Sequence, residues 1–452
     1  MVDHYDLIVR AHSALIDGAF RPATLAVTNG TIVAIGDHDA EFTATTEVAL
    51  PAGQVLIPGI VDTHVHVNEP GRTDWEGFAS ATRAAAAGGV TTIIDMPLNS
   101  IPPTTTVDAL RQKREAAAAQ ATIDIGFWGG AIPSSLGHLE PLHRAGVFGF
   151  KAFLSPSGVD EFPHLSTEQL HAALAELAAF DGLLIVHAED PGVLEAHENT
   201  GGVGYDDFVA SRPDSAEKTA IEHVIEGLRR TGARAHILHL SSASALPTIR
   251  AAKAEGLHLT VETCPHYLSF ASEGIPDGAT QYKCCPPIRD ESNRRELWQA
   301  LIAGDIDLIA SDHSPSTREL KLGHGGDFGL AWGGISGLEV SLPAVWSAAR
   351  EFGITLEQVV EWMTGSTSRL AGLPAKGSLA VGTDADFVAF APDETFTVIA
   401  EHLQHKNKVT AFDGSELHGV VHTTWLGGEP VFVLGAPNDQ VRLRGRLLTA
   451  TH

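Results

Sequence analysis

Two histidines lie one residue apart immediately after an apolar segment of the chain. His64 and His66 occur in VDTHVHVNEPGR, which follows the apolar residues LIPGI. Side chains two residues apart in a β-strand point to the same face, so a strand through this segment would direct both imidazoles the same way. Paired imidazoles are frequent ligands of zinc and related metals. The His-X-His spacing alone is weakly specific and fits two separate structural histidines in a turn equally well.

Four further polar residues follow apolar segments later in the chain. They are Lys151 in GFKAF, His187 in LIVHAE, His239 in ILHLSS and Asp312 in IASDHSP. Taken singly, each has a structural explanation, since a histidine at a strand end is often hydrogen-bonded in the core and a lysine can extend along an apolar surface. Four imidazoles, one carboxylate and one amine at the ends of apolar strands are much harder to explain in this way. Together they predict a metal site.

The segments that carry these residues read as strands alternating with helices. Eight apolar strand candidates occur in the order IVDTHVHV, VTTIIDM, TIDIGFWG, VFGFKAFL, GLLIVHAE, ARAHILHL, LHLTVET and IDLIASDH. Helical segments separate them, for example over 75–87, 167–179, 216–230 and 243–255. Near-continuous apolar strands are typical of sheets covered on both faces. Eight β/α units in about 260 residues predict an α/β fold of the TIM (β/α)8 barrel type, with a doubly wound open sheet as the main alternative.

The two ends of the chain differ from this middle part. Residues 1–57 and 377–452 contain short strand patterns punctuated by turn residues, and Asn29-Gly30 is typical of a β-hairpin. Neither end is long enough to bury a good core alone. We therefore predict a small composite β-sandwich of 1–57 with 377–452, and a barrel over 58–376. The barrel would gather the polar residues at the C-terminal ends of its strands, where barrel enzymes build active sites.

Composition argues against several partners and compartments. The 30 basic and 56 acidic residues give a net charge of −26, which disfavours nucleic acid or an anionic membrane because phosphate binding needs clustered Lys and Arg. We see no signal-peptide pattern, and no apolar run reaches the ~18 residues of a membrane span. Cys264, Cys284 and Cys285 are the three cysteines. Because two are adjacent, we expect no disulfide framework and a reducing, cytoplasmic location.

Lys151 needs a separate explanation within the predicted metal site. Metal ions would repel a protonated amine and would lower its pKa from the ordinary value of about 10.4. A neutral amine can take up carbon dioxide to form a carbamate, an anionic group whose two oxygens can bridge two metals. The hypothesis is a carboxylated Lys151 between two divalent ions, for which the histidines favour zinc, with cobalt, nickel and manganese as alternatives. One ion would be held by His64, His66 and Asp312, and the other by His187 and His239.

Longer segments resemble a known enzyme family. HVHVNEPGRTDWEGF, DMPLNS, GFKAFLSPSGVDEFP, ETCPHYLSF, KCCPPIRD, SDHSP and AWGGISGLE are similar to segments of the amidohydrolase superfamily, in its cyclic-amidase branch of dihydroorotases, dihydropyrimidinases, hydantoinases and allantoinases. The resemblance covers essentially the whole chain, and the finer motifs look like those of allantoinases. It implies that the six polar residues described above are the metal ligands.

Three positions separate this chain from its relatives. Asn68 stands where dihydroorotases have an arginine for the substrate carboxylate, and Pro156 stands where dihydropyrimidinases and hydantoinases have a tyrosine that supports the tetrahedral intermediate. Both differences favour an allantoinase. Cys285 in KCCPP replaces the serine of many relatives, a harmless change if this residue binds substrate through its backbone.

The resemblance implies hydrolysis of the hydantoin ring of allantoin to allantoate, in purine or ureide catabolism, by a homotetramer. It implies that Asp312 takes the proton of the attacking water and returns it to the leaving ring nitrogen, with Lys151 as the carboxylated bridge. One alternative is a cyclic amidase of the hydantoinase or dihydropyrimidinase type. Another is a non-catalytic assembly protein of the same fold, which would have lost its metal ligands.

Substrate contacts are expected beside the predicted metal ligands. Asn99 in MPLNS could hydrogen-bond the ureido group, or could be only a turn residue. Backbone groups at Cys285 and in the turn that contains Ser336 and Gly337 could hold the imide edge. The segment HGGDFGLAWGGISG lacks the Lys-Ser/Thr ending of a phosphate-binding loop, so we interpret it as a substrate loop or lid.

Overall fold

The computed structural model describes residues 4–198, 201–437 and 443–451. The strands in these ranges are β1 (His4–Ile16), β2 (Ala19–Thr28), β3 (Thr31–Gly36), β4 (Thr43–Ala49), β5 (Val55–Pro58), β6 (Ile60–Val65), β7 (Val90–Asp95), β8 (Asp124–Phe127), β9 (Gly129–Gly130), β10 (Phe150–Phe153), β11 (Leu183–His187), β12 (Arg234–Ile237), β13 (Leu259–Thr263), β14 (Leu308–Ile309), β15 (Phe387–Thr397), β16 (Glu416–Leu426) and β17 (Glu429–Val433). The α-helices are α1 (Phe78–Ala87), α2 (Val107–Ala117), α3 (Leu139–Arg144), α4 (Thr167–Ala178), α5 (Pro191–Ala196), α6 (Tyr205–Ala210), α7 (Asp214–Thr231), α8 (Leu246–Ala254), α9 (Pro265–Ser269), α10 (Glu291–Ala303), α11 (Arg318–Leu322), α12 (Ser341–Glu351), α13 (Leu356–Met363) and α14 (Gly365–Ala371).

Parallel strands in the middle of the chain close into a barrel. β6, β7 and β8 form one sheet, and β9 to β14 pair in chain order in another. Only Trp128 separates β8 from β9, so these two are successive parts of one barrel strand. The barrel closes where His66 N donates to the carbonyl oxygen of His313 (2.8 Å), just beyond β6 and β14. The predicted TIM barrel is confirmed, and the alternative of an open sheet is wrong.

Burial on both faces explains why the barrel strands read as apolar runs. Every residue of β6, β7, β8, β10 and β11 is buried. Between β10 and β11, helix α4 begins at a capping box, in which Ser166 Oγ accepts from Gln169 N and the Gln169 side chain accepts from Ser166 N.

Across the described ranges of the chain, no helix combines the length and the apolar character needed to cross a membrane.

The helices agree with the sequence patterns except at two starts. The segments 167–179 and 216–230 correspond to α4 and α7, whereas 243–255 divides into a short 3-10 turn and α8. The segment 75–87 becomes helical only at Phe78, because Gly77 has a φ of +108°, which cannot continue a right-handed helix. Trp75 therefore lies outside α1, and its ring packs edge-on against Trp332, with the centroids 4.9 Å apart.

Both ends of the chain join one sheet. Its strand order is β17-β16-β15-β5-β1-β2-β3, with β4 paired to β1. Leu56 in β5 pairs with Ala389 of β15, which links the two ends. Asn29 and Gly30 have φ values of +50° and +76° between β2 and β3, so the predicted hairpin is confirmed. The division into domains at 57/58 and 376/377 stays a prediction.

Strand β15 belongs to two apolar cores because its side chains alternate in direction. Phe387 and Ala389 pack in the terminal sheet with Leu56. Val388 and Phe390 point the other way and pack in the large core of the barrel and its helices. The terminal sheet is thereby fixed against the barrel.

The last described residues lie against the barrel. Gly445 N donates to the Ala121 carbonyl oxygen (3.0 Å), and Leu448 N donates to that of Ile125 in β8 (2.8 Å). A Cβ atom at Gly445 would lie 1.9 Å from the carbonyl oxygen of Ile123, so glycine is required for this approach. The predicted sandwich included 443–451, whereas the hydrogen bonds of this segment run to β8 and the residues before it.

A buried ion cluster connects the barrel, the terminal sheet and this last segment. Lys376 Nζ lies 2.9 Å from Asp124, 3.0 Å from Asp384 and 2.5 Å from Asp386. Arg446 also donates to Asp124 (2.7 Å). Burial lowers the pKa of Lys376, but the three carboxylates outweigh burial and raise it above its ordinary value. The three aspartates could hold a metal by geometry, but the lysine already supplies the cation.

Candidate active site

The six predicted metal ligands meet at one end of the barrel. His64, Lys151 and His187 lie within strands, whereas His66, His239 and Asp312 follow strand ends; the strands are β6, β10, β11, β12 and β14. All six side chains are buried and line one cavity of about 400 Å³. The carboxyl ends of the strands meet here, which is the end where barrel enzymes place their active sites.

Three of these side chains converge on one point. Asp312 Oδ1 lies 3.1 Å from His64 Nε2 and 3.5 Å from His66 Nε2. Two ligands that bind a tetrahedral zinc at about 2.0–2.1 Å lie about 3.4 Å from each other, so both separations fit one metal ion. His64 Nε2 is buried, and within the described part of the chain its polar contact is this one with Asp312 Oδ1, which lacks the angles of a hydrogen bond. A nitrogen in that state fits a metal ligand.

The turns after the barrel strands hold three cavity residues in the left-handed backbone region. The φ values are +62° for Asn99, +38° for His239 and +44° for Asp312. Such conformations cost about 1–3 kcal/mol for residues other than glycine, and they concentrate at functional sites. The surrounding fold maintains them in order to present these side chains to the cavity.

A buried carboxylate orients His64 from behind. Glu262 Oε1 accepts from His64 Nδ1 at 2.5 Å, and Glu262 Oε2 lies 3.0 Å from His236 Nε2. This contact leaves His64 Nε2 to face Asp312. Burial disfavours protonation of His64, but Asp312 and Glu262 outweigh it and raise the pKa of His64 to about 9. The same two carboxylates would stabilise a metal cation in place of that proton.

Glu262→Gln is expected to weaken zinc binding by about 10- to 100-fold, because a neutral amide can still accept from His64 Nδ1 but no longer supplies the negative charge that strengthens this imidazole as a ligand. The measurement is the zinc dissociation constant, by competition with a chromophoric chelator. Glu255→Gln is the control, since Glu255 pairs with Arg229 at the exposed surface. Its zinc affinity should equal that of the wild type. Wild-type affinity in Glu262→Gln would contradict the role given to Glu262.

The second pair of histidines lies elsewhere on the cavity wall. The rings of His187 and His239 are 4.6 Å apart between centroids and nearly perpendicular. His187 Nε2 lies 2.7 Å from Glu189 Oε2, and Arg212 holds Glu189 with two hydrogen bonds. Burial lowers the pKa of both His187 and His239. Both are therefore neutral at neutral pH, the form of imidazole that binds metals.

Lys151 is buried without a counter-ion. Its Nζ lies 4.6 Å from the centre of the Phe153 ring, and its amine makes no ion pair within residues 4–198, 201–437 and 443–451. Burial lowers the pKa of Lys151 to about 8. At pH 7 about one amine in ten would then be neutral, against fewer than about one in a thousand at the ordinary pKa. The neutral amine is the form that reacts with carbon dioxide.

A second cluster of possible metal ligands has Asp312 in common with the first. The ligand atoms of Cys264, His266 and Asp312 lie within 4.8 Å of one another. Burial raises the pKa of the Cys264 thiol well above its ordinary value, so it stays protonated and is a poor ligand. Neither Cys264 nor His266 lines the cavity. The group of His64, His66 and Asp312 is therefore the better metal site.

Known proteins match the chain over nearly its whole length. Residues 55–431 match the amidohydrolase family. An allantoinase of Streptomyces avermitilis is 57% identical over 444 residues, which cover 98% of each chain. An allantoinase of Saccharomyces cerevisiae is 45% identical over 94% of this chain and 95% of its own. The chain belongs to the amidohydrolase family, among its allantoinases. The resemblance predicted from the sequence is confirmed.

This amidohydrolase also has the fold of a solved structure. The L-hydantoinase (dihydropyrimidinase) from Arthrobacter aurescens superposes with a TM-score of 0.92 at 30% sequence identity. The match covers 98% of this chain and 100% of the hydantoinase chain. The similarity therefore includes the terminal sheet as well as the barrel.

Two residues predicted to bind substrate line the cavity of this amidohydrolase. Asn99 is buried, and its Oδ1 has no hydrogen-bond partner in the described part of the chain. A buried acceptor without a partner is costly unless a ligand satisfies it. Cys285 is half-buried, and its Sγ would lie 3.6 Å from a Cβ atom at Gly333. Asn99 and Cys285 are thus placed to contact a substrate.

The other two residues predicted to bind substrate, Ser336 and Gly337, do not line the cavity. The same turn contributes Gly333 and Gly334 to the cavity wall instead. The Ser336 carbonyl oxygen accepts from Thr410 Oγ1 at 2.5 Å. Gly337 N donates to His313 Nδ1 at 3.2 Å. In this structure Ser336 and Gly337 support the turn rather than form the cavity surface.

Pro156 and Asn68, the positions that distinguish this chain from dihydropyrimidinases, hydantoinases and dihydroorotases, have different surroundings. Pro156 lines the cavity. Asn68 does not, since it is fully buried and its Nδ2 donates to the Pro315 carbonyl oxygen (3.3 Å). Asn68 therefore holds a loop at this site, whereas Pro156 shapes the surface that a substrate would meet.

The sequence reasoning missed the residues that support and complete the site. They are Glu189, Arg212, Glu262, Lys283 and Trp332. Glu189 had a signal, because it follows His187 by two residues, as His66 follows His64. Glu262 also had one, because it interrupts the apolar strand LHLTVET. Arg212 had none, since it lies in a loop between α6 and α7 that only the folded chain brings to the cavity.

Proposed function

We propose that the protein hydrolyses allantoin to allantoate at a site that holds two divalent metal ions. Zinc is the first choice, with cobalt, nickel and manganese as alternatives. The observation that carries the proposal is the convergence of His64, His66 and Asp312 at separations that fit a bound metal, in a chain 57% identical to an allantoinase. The structural similarity to an L-hydantoinase supports the same class of ring-opening hydrolysis.

The donor atoms around the cavity support a binuclear site. One ion would be held by His64, His66 and Asp312, and the other by His187 and His239, with Lys151 between them. When bound, such ions lower the pKa of water and polarise a substrate carbonyl group. The imidazoles and the carboxylate suit zinc, since zinc takes nitrogen and oxygen ligands readily.

Carboxylation of Lys151 would convert a buried amine into an anionic ligand. The lone pair of the neutral amine adds to the carbon of carbon dioxide, and the nitrogen then releases one proton to solvent. The lowered pKa of Lys151 supports this step, because burial increases the neutral fraction of the amine. The absence of an ion pair in the described part of the chain leaves the amine available for the reaction.

Asp312 is the proposed base and then acid of the reaction. Burial raises its pKa, but His64 and the other histidines outweigh burial and hold the pKa well below its ordinary value. Asp312 is therefore a carboxylate at neutral pH, able to take a proton from the water that attacks the ring carbonyl carbon. It returns that proton to the ring nitrogen as the carbon–nitrogen bond breaks, which yields a carboxylic acid and a neutral nitrogen. The acid then releases its proton to solvent and becomes the carboxylate of the product.

Two alternatives predict different properties of the site. A hydantoinase or dihydropyrimidinase would use the phenol of a tyrosine, and the corresponding residue here is Pro156, which lines the cavity. A non-catalytic assembly protein would have lost metal ligands, whereas all six are present and buried around one cavity. Both observations favour the allantoinase proposal.

The test is a parallel assay of allantoin, hydantoin and dihydrouracil, with protein purified in zinc and bicarbonate and metal counted in the same sample. The proposal predicts that kcat/KM is highest for allantoin and that each chain holds about two ions. A higher kcat/KM for hydantoin or dihydrouracil would overturn the proposal that allantoin is the substrate. A protein without turnover or bound metal would belong to the assembly class.

The assembly and the compartment are also proposals. We propose a homotetramer in the cytoplasm, as the family resemblance implies. The three cysteines are free thiols, which supports a reducing compartment. Light scattering on the purified protein tests the subunit count directly, because a tetramer has about four times the mass of the 47.7 kDa chain.

A further inference from the structure

Two cationic side chains line the cavity apart from the predicted metal ligands. Arg212 lies between α6 and α7, and Lys283 begins the KCCPP segment. They share this part of the wall with Cys285 and the glycine-rich residues 329–334. Burial lowers the pKa of Lys283, and the neighbouring charge of Arg212 lowers it further. The two positively charged side chains on the wall of this cavity favour a ligand that accepts hydrogen bonds.

Arg212 keeps one edge of its guanidinium group free. Its Nε donates to Glu189 Oε1 (2.9 Å), and its Nη2 donates to Glu189 Oε2 (2.5 Å). This two-point contact fixes the plane of the guanidinium group. Its Nη1 makes no hydrogen bond within the part of the chain that the structure describes. The two N–H groups of Nη1 are thus available to a molecule in the cavity.

Lys283 also retains a donor. Its Nζ donates to the carbonyl oxygens of Ala331 (2.5 Å) and Gly329 (3.3 Å). An ammonium group has three N–H donors, so one remains. Glu189, the carboxylate that pairs with Arg212, is already engaged by Arg212 and His187. The wall therefore offers donors to a ligand.

We propose that Arg212 and Lys283 bind the ureido substituent of allantoin through its carbonyl oxygen and so select allantoin over unsubstituted hydantoin. This inference rests on the proposed function. The ring must place its reacting carbonyl group among the metal ligands, so a substituent on the ring carbon extends toward another wall. Hydantoin has only hydrogen at that carbon and cannot satisfy these donors, which a polar binding site penalises strongly.

The deciding variant is Lys283→Met, which keeps an unbranched side chain and removes every N–H donor. The measured quantity is kcat/KM for allantoin and for hydantoin. Where hydantoin turns over too slowly, its inhibition constant against allantoin replaces kcat/KM. Loss of a hydrogen bond from a charged donor corresponds to about a 10- to 100-fold change. We expect that loss for allantoin, and less than about a threefold change for hydantoin.

Lys321→Met is the matched control for disturbance of the loop. Lys321 Nζ donates to the carbonyl oxygens of Lys283 (2.7 Å), Trp332 (2.9 Å) and Gly334 (2.5 Å), but it does not line the cavity. Its removal should affect both compounds by similar factors. Lys283→Gln and Arg212→Lys are the second variants. The first keeps an N–H donor and should partly restore selection, and the second keeps a cation beside Glu189 but loses Nη1.

The outcomes separate this inference from the proposed function. A wild-type protein that does not hydrolyse allantoin overturns the proposed function and this inference with it. A wild type that does, with a tenfold or larger loss of selectivity in Lys283→Met but not in Lys321→Met, supports the inference. Equal losses for both compounds in Lys283→Met, Lys283→Gln and Arg212→Lys would overturn the inference and leave the allantoinase proposal standing.

Discussion

Asp312→Asn is expected to lower kcat for allantoin by about 10²- to 10⁴-fold, the contribution typical of a general acid–base group. An amide has nearly the size of the carboxylate, but it cannot take a proton from water and return it to the ring nitrogen. The variant also loses the negative charge beside His64 and His66. Steady-state kinetics on allantoin, with zinc counted in the same sample, measure the effect.

The matched control for this variant is Asp181→Asn. Asp181 is 82% exposed in its side chain, pairs with Arg234 at the surface, and has a φ of +54° that asparagine tolerates. Its kinetics and metal content should equal those of the wild type. If Asp312→Asn kept more than a tenth of the wild-type kcat, Asp312 would not be the acid–base group.

Lys151→Ala is expected to lower the metal content from about two ions per chain to less than one, and to lower kcat by about 10³-fold. Metal ions contribute several kcal/mol to such reactions, and about 1.4 kcal/mol corresponds to a factor of ten in rate. Alanine leaves a buried space that would otherwise hold an anionic carbamate. We therefore expect acetate or propionate to restore part of the metal content and of the activity.

The control for this variant is Lys218→Ala on the exposed face of helix α7, which removes the same type of side chain at a position that does not line the cavity. It should keep both ions and the wild-type kcat, with no response to acetate. Two ions per chain in Lys151→Ala without added carboxylate would contradict the role of Lys151 as the bridge between the ions.

The barrel could be predicted because its physical requirements are local. A strand that is buried on both faces must be apolar along its whole length, so each strand shows in the sequence. Polar residues at the ends of such strands then locate the site, as with His64, His187 and Asp312. The apolar periodicity of 75–87 indicates a helix over this whole segment, but α1 begins only at Phe78 because the positive φ of Gly77 interrupts the helix.

Features that depend on distant contacts could not be predicted from local patterns. The segment 443–451 resembles the terminal strands in composition, yet its backbone pairs with β8, where Gly445 permits close approach. Arg212 reaches the cavity from a loop that shows no catalytic pattern. The role of the glycine-rich segment as a substrate loop or lid stays a prediction. Residues 329–334 of this segment line the cavity, and His313 and Thr410 hold Ser336 and Gly337 away from its surface.

The most direct measurement is a titration of metal-free protein with zinc in bicarbonate buffer, with allantoin hydrolysis recorded at each addition. The proposed site predicts that activity is absent without metal, rises with bound zinc and reaches its plateau at about two ions per chain. It also predicts that omission of bicarbonate lowers the plateau, since Lys151 then stays an amine. Full allantoin hydrolysis without metal, or none at two bound ions in bicarbonate, would contradict it.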